Sequence, residues 1–298
     1  MHGWLVIDKP VGPGSTQVVS AVKRALRAGG NPKLKVGHGG TLDPLASGVL
    51  PVAVGEATKL AGRMLDSDKI YAFTIGFGVE TDTLDGEGRP VATSDARPDR
   101  AMLEDVLPRF TGSIEQVPPA FSALKVDGER AYDLARAGGT VTLASRAVAI
   151  HRLTLQDEPV AGAPLAEATL VAHVSKGTYI RSLARDIARA AGSVGHVTML
   201  RRVQAGPFGL DEAISLDRLA ELGHGRALET ALLPMGAGLD DIPALALTPD
   251  QAGQLRQGRV LIGTAMNDGL CFAMLDDVPV ALAEVKDGNV RVVRGFNL

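Results

Sequence analysis

Every second residue between positions 71 and 79 is large and apolar, and this pattern predicts a strand over 69–79. The large side chains that share one face are Tyr71, Phe73, Ile75, Phe77 and Val79. A face with five large side chains is either buried or lines a pocket. Tyr71 comes first in this row, so we expect its hydroxyl either in the core or at the edge of a cleft.

Apolar residues at helical spacing predict helices that are separated by shorter strands. One helix begins at Ser15 or Thr16 and stops at Gly29, and another is capped by Thr178. The second helix has four apolar residues at positions i, i+3, i+4 and i+7: Ile180, Leu183, Ala184 and Ile187. A capping-box pattern opens a further helix at Thr248. Other helices are expected at 57–65, from 99 and at 131–137, and strands at 4–7, 147–155, 166–174, 197–202, 270–275, 280–285 and 290–294.

The stretch from 36 to 50 combines four glycines, one histidine and one acid in a single turn. Pro44 disfavours the helical conformation for Asp43 and so restricts the direction of this carboxylate. Two interpretations fit these residues. Asp43 is either the N-cap of a helix that has Pro44 at its first position, or an exposed nucleophile. Considered alone, the pattern favours the N-cap.

Basic residues are concentrated in two segments, although the net charge of the chain is −3. Residues 1–36 contain six lysines and arginines with one acid, and residues 175–202 show the same ratio. These segments are either solvated helix faces or surfaces that bind a phosphate backbone. Arg181 falls in the first turn of its helix, where the helix dipole disfavours a cation. We therefore expect a local carboxylate or phosphate partner for Arg181.

Several classes of chemistry are excluded or disfavoured by what the sequence lacks, and a metal site would need residues from unrelated loops to converge. Cys271 is the only cysteine, so the chain has no intrachain disulfide and no thiolate zinc site. The six histidines show no metal-ligand spacing, and nucleotide-binding glycine loops and serine-nucleophile elbows are missing. No apolar run is long enough to span a membrane, which predicts a soluble cytoplasmic protein. An enzyme with this sequence would work without metal or cofactor, and Asp43, Tyr71 and Arg181 are its best catalytic candidates.

Eight segments follow one another in an order typical of a single family. They are LVIDKP at 5–10, GHGGTLDPLASG at 37–48, GEATK at 55–59, DSDKIY at 66–71, TDTLDG at 81–86, PPAFSALK at 118–125, SKGTYIR at 175–181 and LRR at 200–202. The chain thus resembles the TruB-type tRNA pseudouridine synthases, which isomerise uridine 55 in the T-loop of tRNA. The resemblance implies an α+β fold, with a long mixed, mainly antiparallel sheet flanked by helices. It also implies a catalytic domain at 1–238 and a small β-rich, PUA-like RNA-binding domain at 244–298.

The same resemblance implies roles for individual residues. Asp43 matches the essential aspartate of the family, Arg181 the arginine paired with it, and Tyr71 the tyrosine beside the flipped base. The substrate-binding positions are matched by His38, Tyr179, Leu200, Lys9 and Lys125. Of these, Leu200 corresponds to an apolar wall of the uracil pocket and His38 to a residue that enters the T-loop. Lys9 and Lys125 are expected to make RNA or structural contacts. The implied partner is the tRNA T stem-loop, bound by a monomer.

Two other functions fit parts of the sequence. A catalytically idle RNA-binding protein could use the same basic surfaces, but it would not need Asp43, Tyr71 and Arg181 together. A hydrolase that releases uracil is the other alternative. Glycoside hydrolysis usually needs two carboxylates and a water molecule, whereas one acid stands in the matched core. With an unmodified tRNA transcript, the idle protein would bind without forming a product, and the hydrolase would release free uracil.

Overall fold

The computed structural model describes residues 1–122, 124–126, 129–131, 134, 143–156 and 162–298. Six α-helices lie in this part of the chain: α1 (Ser15–Ala28), α2 (Ala61–Asp66), α3 (Arg100–Val106), α4 (Ile180–Ala190), α5 (Leu216–His224) and α6 (Pro249–Arg256). Four 3₁₀-helices accompany them at Gly55–Lys59, Leu107–Phe110, Leu228–Ala231 and Met235–Gly238. None of the helices in these residues has the length and apolar character needed to cross a bilayer. The helix predicted at 131–137 lies mostly outside the described residues.

Strands account for most of the remaining regular structure. The first nine are β1 (Gly3–Lys9), β2 (Val36–His38), β3 (Ser47–Val54), β4 (Lys69–Phe77), β5 (Val79–Thr81), β6 (Pro90–Thr93), β7 (Gly112–Gln116), β8 (Lys125–Val126) and β9 (Glu129–Arg130). The others are β10 (Arg146–Leu155), β11 (Glu167–Val174), β12 (Gly195–Ala205), β13 (Phe208–Gly209), β14 (Ala244–Ala246), β15 (Leu261–Ile262), β16 (Gly269–Leu275), β17 (Val278–Lys286) and β18 (Asn289–Gly295). The chain forms two compact units. The first contains Met1–Leu42, Val49–Leu65 and Gly206–Leu298, and the second contains Asp43–Gly48 and Asp66–Ala205.

The second unit is built on a sheet with the strand order β12-β4-β11-β10-β7, in which all neighbours are antiparallel. The first two residues of β3 add a parallel pairing beside β12. The sheet is therefore mixed and mainly antiparallel, which confirms the predicted fold class. Phe73 at its centre pairs with Leu170 on one side and Leu200 on the other, and all three side chains are buried.

Strand β4 ends at Phe77, two residues earlier than the alternating pattern predicts. Gly78 has a φ of 97°, a backbone conformation outside the β region and one that glycine adopts readily. The chain therefore turns at Gly78, and Val79 begins β5, which pairs with β6 instead of extending the main sheet.

Helix α4 packs against β12 and β4. It buries the four residues that the sequence spacing predicts: Ile180, Leu183, Ala184 and Ile187. The N-cap of this helix is Tyr179 and not Thr178, so the predicted start was wrong by one residue. The Thr178 hydroxyl instead donates a hydrogen bond to the carbonyl oxygen of Ser175 at 3.0 Å. This bond closes the turn that leads from β11 into α4.

In the first unit, α1 packs against α5. The N-cap of α1 is Gly14, whose N–H donates to the side-chain oxygen of Gln17 at 2.7 Å. The predicted cap at Ser15 or Thr16 is therefore wrong. Ser15 is buried, and its hydroxyl binds the backbone of Leu42 instead.

Residues 244–298 of the first unit contain a five-stranded sheet with the order β14-β16-β17-β18-β15. Its apolar side chains form a cluster together with two residues of α6, Ala252 and Leu255. The predicted capping box of α6 is confirmed. The Thr248 hydroxyl accepts a hydrogen bond from the Gln251 N–H at 3.3 Å, and the Gln251 side chain accepts one from the Thr248 N–H at 2.9 Å.

Candidate active site

Asp43 lies in a tight turn and does not begin a helix. Its carbonyl oxygen accepts a hydrogen bond from the Ala46 N–H at 3.1 Å, and β3 begins immediately afterwards at Ser47. The interpretation of Asp43 as a helix N-cap is therefore wrong. The Asp43 side chain is 39% exposed, so a ligand in solution has access to its carboxylate.

The hydroxyl group of Ser15 fixes the backbone of Leu42, the residue before Asp43. Buried Ser15 accepts a hydrogen bond from the Leu42 N–H at 2.8 Å and donates one to the Leu42 carbonyl oxygen at 3.0 Å. Because both backbone groups of Leu42 are bound, the peptide that leads into Asp43 has little freedom. A serine at the start of a helix is usually interpreted as a cap, so the sequence did not reveal this contact.

Gly48 brings the other end of the turn against β12. It has a φ of 103°, and a Cβ atom there would lie 2.1 Å from the carbonyl oxygen of Arg202. We therefore expect Gly48→Ala to lower the free energy of unfolding by at least about 2 kcal/mol, measured by urea denaturation. Gly37→Ala is the matched control, because a Cβ at Gly37 meets nothing within 4 Å. Equal losses in the two variants would contradict this explanation.

Arg181 binds Asp43 from the first turn of α4. One guanidinium nitrogen, Nη2, lies 2.9 Å from Asp43 Oδ2 and donates to the Phe121 carbonyl oxygen at 3.0 Å. The other nitrogen, Nη1, lies 3.2 Å from Asp85 Oδ2 and donates to the Thr83 carbonyl oxygen at 2.9 Å. Arg181 thus has two carboxylate partners, Asp43 and Asp85, which confirms the expectation of a local carboxylate. A guanidinium with four such partners has a fixed orientation.

Asp85 is the buried member of this group, with a side-chain exposure of 3%. Its Oδ1 accepts hydrogen bonds from the Thr83 hydroxyl at 2.5 Å and from the Glu87 N–H at 3.0 Å. Its Oδ2 is thereby directed at Arg181. The sequence placed Asp85 in a polar turn, where aspartates are common for local reasons, and so did not identify it as a site residue. The one indication in the sequence was that Asp85 belongs to TDTLDG at 81–86, a segment that resembles the family.

The other cations of the second basic segment are mostly neutralised within the protein. Arg185 contacts Asp186 at 2.7 Å, and Arg189 binds the buried Glu80 through two hydrogen bonds of 2.6 and 2.9 Å. The bonds that Arg189 donates to Glu80 raise the pKa of Arg189. Arg202 is 1% exposed. Of the two alternatives for this segment, an open phosphate-binding surface is therefore not supported by Arg185, Arg189 and Arg202, which are paired with carboxylates or buried.

Tyr71 and Leu200 lie on the same face of the sheet. Tyr71 of β4 pairs with Arg202 of β12, and Phe73 pairs with Leu200, so all four side chains point to one side. Tyr71 is half-buried and Leu200 is buried. Lys69, two residues before Tyr71, is on the same face. Burial, together with the nearby Arg202 charge, lowers the pKa of Lys69 to about 8.

Tyr179 is held just before Arg181 by the side-chain amide of Gln116. The Tyr179 N–H donates to Gln116 Oε1 at 2.8 Å, and its carbonyl oxygen accepts from Gln116 Nε2 at 3.1 Å. The Arg146 guanidinium lies 4.8 Å from the centre of the Tyr179 ring, within the range of a cation–π contact. Gln116 is a further site residue that the sequence did not reveal.

The remaining predicted substrate-binding residues have different environments. His38 is half-buried in β2 and pairs with Val52 of β3 in the first unit. Lys9 is fully buried, and its ammonium group donates to the carbonyl oxygens of Pro10 and Pro13 at 2.9 and 2.8 Å. These contacts favour the structural one of the two roles predicted for Lys9. Lys125 begins the short strand β8.

A basic groove lies on the surface of the first unit, between α1 and β2. It has a volume of about 830 Å³, and its apolar floor includes Leu26 and Leu34. Four exposed cations line it: Lys23, Arg27, Lys33 and Lys35. We refer to these four residues as the basic groove. Unlike Arg181 and Arg185 of α4, they are exposed, so a bound anion could reach them.

Known proteins resemble this chain in sequence and in fold. The TruB family pseudouridylate synthase N-terminal domain matches residues 23–180, and the tRNA pseudouridylate synthase B C-terminal domain matches residues 181–240. A tRNA pseudouridine synthase B of Novosphingobium aromaticivorans is 65% identical, with 100% of this chain and 98% of the relative covered. The protein of the same name from Zymomonas mobilis is 59% identical, with 100% and 96% covered.

Solved structures agree with these sequence matches. A chain in the crystal structure of a Cbf5-Nop10-Gar1 complex is 25% identical, with a TM-score of 0.73 over 99% of this chain and 85% of that chain. The mixed sheet with its flanking helices is thus a pseudouridine synthase fold. Because the N-terminal domain match alone covers more than half of the residues, the chain belongs to the TruB family of pseudouridylate synthases.

Proposed function

We propose that this enzyme isomerises uridine to pseudouridine at position 55 in the T-loop of tRNA, without a cofactor. The observation that carries the proposal is the 2.9 Å contact between Arg181 and the accessible carboxylate of Asp43. Relatives that match the whole chain are named tRNA pseudouridine synthase B, which supports tRNA as the substrate.

The reaction breaks the C1′–N1 bond, forms a C1′–C5 bond and moves a proton from C5 to N1. It consumes no water and changes no oxidation state. The target base is stacked in the folded RNA, so it must first be flipped into the site. Asp43 is the reacting carboxylate: it is a nucleophile if it attacks C1′ or adds to C6 of the uracil, and a base if it removes the 2′ proton in a glycal route. Each route requires an ionised carboxylate in a fixed direction, and Arg181 supplies both the charge balance and the direction.

The residues around the base follow from the same proposal. Tyr71 lies beside the flipped base and acts as a general base or stacks on it, and Leu200 forms an apolar wall of the uracil pocket. Their common face on β4 and β12 supports this arrangement. Tyr179 is the neighbouring pocket residue, His38 enters the T-loop where the base has left, and Lys125 contacts RNA.

Two parts of the chain have different functions in this proposal. We assign residues 1–238 to catalysis and residues 244–298 to a PUA-like RNA-binding domain. The separate sheet and apolar cluster of the C-terminal residues support this boundary. The enzyme acts as a monomer on the T stem-loop, in the cytoplasm.

The product formed from an unmodified tRNA transcript tests the proposed function. We expect one pseudouridine per tRNA, at position 55, detected by nuclease digestion and mass spectrometry after chemical labelling. A transcript with cytidine at that position is the matched control and should yield none. Free uracil would indicate a hydrolase, and binding without a new nucleoside would indicate an idle RNA-binding protein. Either result would overturn the proposal.

The basic groove is the surface that we expect to hold the RNA backbone. Replacing Lys23, Arg27, Lys33 and Lys35 by alanine removes four possible phosphate contacts. Each contact to single-stranded RNA contributes about 0.7 to the slope of log affinity against log salt. We therefore expect the slope for tRNA binding to decrease by about 3, with the turnover of saturated enzyme nearly unchanged. Filter binding at several salt concentrations measures this slope.

A control variant with the same change in net charge separates the loss of contacts in the basic groove from a general change in the electrostatic potential of the protein. Four other surface cations are each paired with a carboxylate: Arg63, Arg100, Lys176 and Arg218. Their quadruple alanine variant has the same net charge as the basic-groove variant, but it should keep most of the salt slope. An equal decrease in both variants would mean that the groove has no special role.

A further inference from the structure

Two histidines and an aspartate that the proposed reaction does not use meet in the second unit. His151 Nε2 lies 3.1 Å from Asp68 Oδ2, and His173 Nε2 lies 3.5 Å from the same oxygen. The ligand atoms of the three side chains all lie within 4.8 Å of one another. The histidine spacing in the sequence gave no sign of this group.

The sheet register explains how these residues come together. Asp68 directly precedes β4, and His173 of β11 pairs with Ile70 of β4. On its other side, β11 pairs with β10, where an irregularity between Ile150 and Arg152 places His151 as an extra residue opposite His173. His173 follows Ala172, the partner of Tyr71, so it points to the opposite face of the sheet. The group is therefore separate from the Tyr71 face.

We propose that Asp68, His151 and His173 form a binding site for a divalent transition metal ion such as Zn²⁺, Co²⁺ or Ni²⁺. These metals bind imidazole nitrogen and carboxylate oxygen at about 2.0–2.2 Å. Two ligands on a tetrahedral ion are then roughly 3.4 Å apart. The nitrogen–oxygen distances of 3.1 and 3.5 Å lie on either side of that spacing. The most distant pair of ligand atoms, which lie within 4.8 Å of each other, would have to approach further to bind one ion.

The type of ligand selects the class of metal. Two imidazoles and one carboxylate suit Zn²⁺ and its neighbours in the first transition row, whereas Mg²⁺ and Ca²⁺ prefer oxygen ligands. The side chains are 39–48% exposed, so an ion can enter from solution and complete its coordination with water. The bound ion would link β10, β11 and the residue before β4. Because the unfolded chain lacks this arrangement, binding should stabilise the folded protein.

Metal titration of the full-length, tag-free enzyme tests the site. After dialysis against a chelator, we expect one equivalent of Co²⁺ to produce the visible d–d absorption of a nitrogen- and oxygen-ligated ion. Zn²⁺ should compete for the same site and raise the melting temperature by about 5 °C at 100-fold excess over its dissociation constant. His151→Gln and His173→Gln should each weaken binding at least tenfold and abolish the thermal shift. His224→Gln removes an exposed histidine outside the group, and it should change neither the metal affinity nor the thermal shift.

Three results would overturn the proposal. They are the lack of saturable metal uptake, unchanged affinity in both histidine variants, and a thiolate-to-cobalt charge-transfer band, which would place the ion at Cys271. Pseudouridine formation by the metal-free variants is measured in parallel, because it depends on other residues. A failure of the metal site would therefore leave the proposed reaction untouched, and a failure of the reaction would leave the metal site untouched.

Discussion

Asp43→Asn is expected to lower pseudouridine formation roughly 10⁴-fold or more, in the range seen when a nucleophile is removed, while tRNA affinity stays within several-fold of wild type. Asparagine has nearly the same shape as aspartate, but its neutral amide is a very weak nucleophile. Arg181 keeps Asp85 and two backbone carbonyl oxygens as partners, so the surrounding structure should persist. The loss should therefore be in the chemical step and not in binding.

Release of tritium from C5 of labelled tRNA under single-turnover conditions measures this step directly. Asp43→Glu keeps the charge but moves it by one methylene group. It should also be severely impaired, because positioning errors of about 1 Å can cost 100-fold. Asp186→Asn is the matched control, since Asp186 is paired with an arginine of the same helix, at 2.7 Å, outside the Asp43 group. Turnover of Asp43→Asn near that of wild type would remove Asp43 from the role of nucleophile.

Local periodicity predicted the main elements of the second unit well. The alternation in β4 and the i, i+3, i+4, i+7 spacing in α4 both arise from burial of one face, which the sequence records directly. The errors lie at element ends. β4 stops where Gly78 leaves the β region, and α4 begins after Tyr179, whose backbone is held by Gln116. These ends depend on contacts that are remote in sequence.

The candidate site was predictable only in part for the same reason. Asp43 and Arg181 were identified, but Asp85, which lies 96 positions before Arg181, looked like an ordinary turn residue. The basic segment 175–202 left a phosphate-binding surface open as an alternative. The sequence could not show that Arg189 pairs with the buried Glu80, which belongs to a strand 109 positions earlier. Similarly, the metal-binding group arises from the register of three strands. No spacing rule along one segment could reveal such pairs.

The two carboxylates on Arg181 differ mainly in exposure, and this difference suggests separate roles. Asp85 is 3% exposed and accepts two local hydrogen bonds on its other oxygen, whereas Asp43 is 39% exposed. A buried carboxylate with partners on both of its oxygens holds the guanidinium in place. An accessible carboxylate on the same guanidinium is oriented by it and still free to react. We therefore propose that Asp85 is a positioning residue that acts through Arg181.

Asp85→Asn should therefore lower kcat about 100-fold, the scale of a small misalignment, with KM for tRNA nearly unchanged. Arg181→Lys should be affected at least as strongly, because an ammonium group cannot contact both carboxylates in the fork geometry of a guanidinium. The double variant should lose no more activity than Arg181→Lys alone, since Asp85 acts only through that side chain. Single-turnover rates of the four proteins complete this cycle.

A purely structural role for Asp85 would give a different pattern. Glu80→Gln removes another buried carboxylate from an arginine, Arg189, and should destabilise the fold while kcat is retained. If Asp85→Asn and Glu80→Gln lower the unfolding free energy alike but only Asp85→Asn lowers kcat, the loss comes from the direction of Asp43 and not from stability. Additive losses of activity in Asp85→Asn and Arg181→Lys would show instead that the two residues act independently. The kcat of the double variant decides between these outcomes. If Asp85 acts on Asp43 only through Arg181, then Asp85→Asn should not lower kcat further once Arg181 is replaced by lysine.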